Sequence, residues 1–169
     1  MKNLRGFLLL LIMVSAFATT VNAQKKDKKM TRDSIQAAAV ERLLISKKFI
    51  FTAEYASPAQ GGGILLNSYY YLEITPDVVS SVLPYYGTTY SGGGTSESSI
   101  KLSTKNFDYS GVKTAAGHWY VSIKPKDSTT EQELVLDVKN DGTASLVVLS
   151  KGRGRMSYTG IIEAKEESK

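Results

Sequence analysis

From Phe49 onward the chain alternates apolar and polar residues with a period of two, and turn residues interrupt the alternation at short intervals. Phe49, Phe51, Ala53 and Tyr55 fall on one side of an extended backbone, with Ile50, Thr52 and Glu54 on the other. Ile64, Leu66, Tyr70, Leu72 and Ile74 then oppose Asn67, Tyr69, Tyr71 and Glu73. Shorter runs follow from Val78 to Leu83, at Ile100 and Leu102, and at Phe107 and Tyr109. Others lie at Trp119, Val121 and Ile123, at Leu134, Leu136 and Val138, and from Ala144 to Leu149. The last, Arg155 to Glu163, places Met156, Tyr158, Gly160 and Ile162 on one face. Parallel strands buried on both faces would be apolar throughout, so this pattern predicts antiparallel strands with one wet face. The expected fold is all-β, an antiparallel meander of about nine short strands. It forms a closed or partly open barrel, with a two-sheet sandwich as the alternative; closure is favoured because it removes exposed strand edges.

The connections carry their own signals. Pro58 with Gly61, Gly62 and Gly63 links the first two strands, and Thr75-Pro76-Asp77 closes a hairpin. Pro84, which has no N–H to give to a ladder, ends the next strand, and Gly87 permits a sharp turn after Tyr85 and Tyr86. Thr88 to Ser99, with Gly92-Gly93-Gly94 at its centre, reads as a loop, and Lys139-Asn140-Asp141-Gly142 as a hairpin turn. Ahead of the strands, Asp33 and Gln36 have capping-box spacing, and Ile35, Ala39, Val40, Leu43 and Leu44 share one helical face. One amphipathic helix is therefore predicted from Ser34 to Lys47, with its stripe against the sheet.

Lys2 and Arg5, an apolar run from Phe7 to Phe17 and the small residues Val21 and Ala23 form the pattern of a secretory leader, residues 1–23, with the mature chain starting at Gln24. An apolar run of about 12 residues is too short for a bilayer core of roughly 30 Å, so no transmembrane anchor is expected. The chain contains no cysteine, which excludes a lipid-modified first cysteine, disulfides, thiol catalysis and cysteine metal sites. The positive charge, +5 overall, is concentrated in Lys25, Lys26, Lys28, Lys29 and Arg32. A run like this without aromatics reads as a solvated tether, so residues 24–33 are expected to be a basic flexible linker and no nucleic acid is expected as partner. Residues 34–164 then make a single β-rich domain, and 165–169 a disordered tail.

The sequence offers no catalytic motif. The one histidine, His118, lies beside inward-facing Trp119 and is expected to point to solvent with Tyr120. No Gly-x-Ser-x-Gly elbow precedes it, and Asp77, Asp108, Asp137 and Asp141 lack calcium-loop spacing. None of the glycine runs is followed by the Lys-Ser or Lys-Thr of a phosphate loop. No catalytic residue, metal or cofactor is therefore assigned. What remains is tyrosine, ten in the chain, six of them being Tyr69, Tyr70, Tyr71, Tyr85, Tyr86 and Tyr90. With an apolar body and a polar tip, tyrosine suits interfaces and pockets, but alternation along a strand also sends about half of such residues into the core. The expected ligand or partner surface comprises Tyr69, Tyr71, Tyr85, Tyr86, Arg155 and Tyr158, uniting the turn Leu83 to Gly87 with the closing strand.

Leu83-Pro84-Tyr85-Tyr86-Gly87, taken with Arg155-Met156-Ser157-Tyr158-Thr159-Gly160, resembles the domain-of-unknown-function family 4251 of exported Gram-negative bacterial proteins. Leader, short helix, Phe-x-Phe strand, Leu-Pro-Tyr-aromatic-Gly turn and closing Arg-x-x-Ser-Tyr-x-Gly strand occur here in that order. The resemblance implies fold and a periplasmic or extracellular location, and brings no activity or catalytic residue with it. Two function classes follow: a non-enzymatic envelope module binding a small amphipathic ligand or glycan, or a structural domain recognising another envelope protein. A hollow interior favours the first, and a packed interior with an exposed aromatic patch the second.

Overall fold

The computed structural model describes residues 30–87, 99–127 and 132–165. The leader, most of the basic linker, the Gly92-Gly93-Gly94 loop with Tyr90, and most of the C-terminal tail lie outside the described residues. The chain divides into two compact units between Gln36 and Ala37. In the first, residues 30–36 are helical and exposed, and the Ser34 hydroxyl donates to the Thr31 carbonyl at 2.9 Å. Helical geometry thus begins before Asp33, which is no cap, because Met30 and Arg32 are good helix formers and nothing there stops a helix. Ile35 is exposed rather than part of the apolar stripe.

The second unit opens with helical residues 37–46, here α1, of which Val40 and Leu44 are buried. The helix ends in a Schellman motif. The Lys48 N–H donates to the Leu43 carbonyl at 3.3 Å and the Lys47 N–H to the Leu44 carbonyl at 3.4 Å, with Lys47 at φ 55°. A lysine occupies this left-handed position where glycine is usual, and its ammonium lies 5.0 Å from the Tyr109 ring centroid.

Nine strands follow: β1 (Phe49–Pro58), β2 (Ile64–Ile74), β3 (Val79–Pro84), β4 (Ser99–Thr104), β5 (Phe107–Lys113), β6 (Trp119–Pro125), β7 (Glu133–Val138), β8 (Thr143–Ser150) and β9 (Arg153–Ala164). They form a single antiparallel sheet in the order β4-β3-β2-β1-β9-β8-β7-β6-β5, a nearly closed barrel. Directions alternate along that order, so β4 and β5, at its two ends, run the same way. Only Lys105 and Asn106 separate them, too few for a crossover, so the chain passes from β4 into β5 as one bent strand. Its first half pairs with β3 and its second with β6, which is how the barrel closes. The bend is fixed by buried Thr104, whose hydroxyl donates to Asp127 Oδ1 at 2.6 Å and accepts from the Asn106 N–H at 3.0 Å.

The inward residues fill the barrel. Phe49, Phe51, Leu72, Ile74, Leu83, Ile123, Leu136, Leu146, Met156 and Tyr158 are fully buried and belong to one contiguous cluster with Val40 and Leu44 of α1. Tyr109 donates its hydroxyl to the Leu44 carbonyl at 2.8 Å, and Lys113 pairs with Glu41 at 2.6 Å, so α1 is tied to β5. The Lys139 to Gly142 turn forms as expected, with Gly142 at φ 84°.

One face assignment is corrected. Tyr55 is exposed and Ala56 buried, because β1 carries a bulge at Glu54. Ala53 pairs with Gly160 and Tyr55 with Thr159, leaving Glu54 unmatched and reversing the faces beyond it. Gly160 is required there, since a Cβ on it would stand 1.9 Å from the Thr52 carbonyl oxygen.

Candidate functional site

The bulge also shapes the opposite edge of β1. Ala53 pairs with Tyr70 of β2 and Tyr55 with Leu65, so Leu66, Asn67, Ser68 and Tyr69 stand opposite the single residue Glu54. The β2–β3 register begins only at Tyr71, so these four lie outside both flanking ladders. An open depression of about 530 Å³ lies here, lined by residues 52–55 of β1 and 65–69 of β2. Its walls are mixed. Tyr55, Leu65 and Tyr69 are exposed apolar surfaces, Tyr69 to 64 %, while Asn67, Ser68 and the Glu54 carboxylate supply polar groups. The Tyr69 and Tyr71 rings stack with centroids 5.3 Å apart and planes at 28°, which fixes Tyr69 as a rigid platform.

The other tyrosines named from the sequence lie elsewhere. Tyr158 is 1 % exposed and donates to the Pro84 carbonyl at 2.6 Å. Tyr85 is 7 % exposed, accepts from the Gly154 N–H at 2.8 Å, and has the Arg153 guanidinium 5.3 Å from its ring centroid. The turn after β3 and the strand β9 are therefore joined through buried side chains that lock one to the other. Burial holds the Tyr158 hydroxyl protonated well above the usual tyrosine range, with neighbouring Tyr85 and Tyr86 adding to the effect. Of this group only Tyr86 and Arg155 are exposed, and they line a separate, smaller cleft of about 110 Å³ together with residues 58–60, Gly87 and Gly154. The two clefts share no lining residue.

Of the residues expected to form a surface, Tyr69 lines this depression and Tyr71 stacks on it, while Tyr55, Leu65 and Glu54, which also line it, were not among those expected. Strict alternation put Tyr55 in the core, and the bulge alone brings it out. His118 lies 3.4 Å from Asp137 Oδ1 in a half-exposed pair. Among the described residues no three His, Asp or Glu side chains cluster as a metal site, and no helix is long and apolar enough to cross a membrane.

The fold is that of a solved relative. The chain is similar to a DUF4251 family protein from Bacteroides eggerthii DSM 20697, known from a crystal structure, with a TM-score of 0.60 and 12 % sequence identity. The match covers 79 % of this chain and 91 % of that one. Among curated proteins none matches. A family model described as Domain of unknown function (DUF4251) matches residues 31–162, and the chain belongs to that family.

Proposed function

We propose that this protein is a non-enzymatic binding module of the cell envelope that holds a small amphipathic ligand or glycan on the outside of its barrel, in the depression between β1 and β2. The observation that carries this reading is the exposed platform of Tyr69 on Tyr71, facing Tyr55 and Leu65 across a cleft with polar walls. A ligand with one apolar face and a rim of hydroxyls matches that lining, and a platform fixed in advance costs little ordering entropy on binding. The filled interior leaves the outside of the barrel for such a ligand, and, together with the exposed aromatic patch, it counts equally towards recognition of another protein. An inside-apolar, outside-mixed barrel is also the reverse of a lipid-embedded one, which supports work in an aqueous compartment. The leader-like residues 1–23 support export.

Fluorescence titration with neutral oligosaccharides, and separately with an amphipathic dye, tests this reading. Tyr69→Ala is expected to weaken capture by about tenfold or more while moving stability by no more than about 0.5 kcal/mol, as for other exposed sites. Capture by the Tyr69→Ala protein as tight as by the unaltered one would contradict it.

A second reading is favoured by a different observation. Residues 66–69 lie outside the registers with β1 and β3, so their backbone groups are placed for strand addition by an extended segment of another envelope protein. Under that reading the same aromatic patch is a protein interface.

A further inference from the structure

The smaller cleft has a different chemistry. Its lining holds Arg155, Gln60 and Tyr86 and no acidic residue, and among the described residues none of these three side chains makes a hydrogen bond or ion pair. The surrounding chain is one-sided in charge: Lys151, Arg153 and Arg155 lie within a stretch, from Gly142 to Ile162, that contains no aspartate or glutamate. The neighbouring Arg153 is already engaged on the Tyr85 ring at 5.3 Å, which leaves Arg155 as the guanidinium facing the cleft.

The floor is rigid. Gly154 donates to the Tyr85 hydroxyl at 2.8 Å, and Tyr158 holds the Pro84 carbonyl at 2.6 Å, so the turn bearing Tyr86 and the strand bearing Arg155 are fixed relative to each other. At about 110 Å³ the cleft is the smaller of the two and has room for one oxyanion group.

We infer that this cleft is an oxyanion subsite, in which Arg155 receives a phosphate or carboxylate group through its forked N–H donors and the Gln60 amide and Tyr86 hydroxyl donate from the sides. The physical ground is that a forked guanidinium matches two oxygens of one anion, and a charge-assisted bond in a partly enclosed cleft is stronger than one on open surface. The subsite is independent of the aromatic depression.

The test is a titration of the full chain with inorganic phosphate, and separately with acetate, at constant ionic strength, following the Gly87 and Gly154 amide resonances by NMR. Saturable shifts with at least one anion are expected. Saturation by phosphate alone identifies a phosphate-type ligand, and by acetate alone a carboxylate. Arg155→Gln should weaken binding by about tenfold or more, and Arg155→Lys, which keeps the charge and loses the fork, by an intermediate factor. Tyr69→Ala should leave this titration unchanged, whatever it does at the other cleft. Because Arg155 is exposed, the variants are expected to keep the parent unfolding midpoint. A linear response to both anions, or equal saturation in Arg155→Gln, overturns the inference.

Discussion

Tyr158 shows how far a single residue can be read from sequence. Alternation in β9 sends it inward with Met156 and Ile162, and it is inward. Its hydroxyl partner, the carbonyl of Pro84, is 74 positions away and has no local signal. Tyr158→Phe orphans that carbonyl and is expected to lower stability by about 1–2 kcal/mol in denaturant melts. Burial also raises the pKa of Tyr109, so both hydroxyls stay protonated in the fold at pH values where the unfolded chain, with tyrosines near 10, ionises. The sign follows from linkage: this contribution is full below pH of about 10 and is lost as pH rises above it. Melting midpoints are therefore expected to fall steeply in alkali, and less steeply when both tyrosines are phenylalanine. Gly160 is the opposite case: it stands in the closing motif, but the approach of Thr52 that requires it has no local signal. Gly160→Ala drives a methyl into the Thr52 carbonyl, and a loss of about 3 kcal/mol in a denaturant melt is expected.

At the scale of elements, the helix and most strands were legible because each follows its own period. The helix stripe was read too wide, since periodicity records which residues share a face and not how far the covering surface extends. Leu44→Ala is accordingly expected to cost about 3 kcal/mol, whereas exposed Ile45→Lys should stay within about 0.5 kcal/mol, both measured by urea unfolding. Two features were not legible. Nothing local in Lys105-Asn106 shows that topology makes it a bend within one strand, held by Thr104; because Asn106 and Asp127 are exposed and can turn to water, Thr104→Val should cost only about 1 kcal/mol. The bulge at Glu54 was hidden because Ala-Glu-Tyr-Ala continues the expected alternation until Ala56.

For the whole molecule, the barrel divides the tyrosines by role. Tyr85 and Tyr158 join the turn after β3 to the closing strand, while Tyr69, Tyr71 and Tyr55 lie by the irregular β1–β2 register on the outside. The chain concentrates its aromatics along β2 and just after β3, and that much was plain in the sequence. Which of them face water depended on register, and register is set by long-range pairing that the sequence does not print. If a ligand sits on the outside of the filled barrel, methyl and aromatic NMR during titration with a neutral oligosaccharide will show shifts confined to Tyr55, Leu65, Tyr69 and Tyr71, with the Leu72, Leu136 and Leu146 methyls unmoved. Shifts at those interior methyls would instead place the ligand inside the barrel and rule out an outer site.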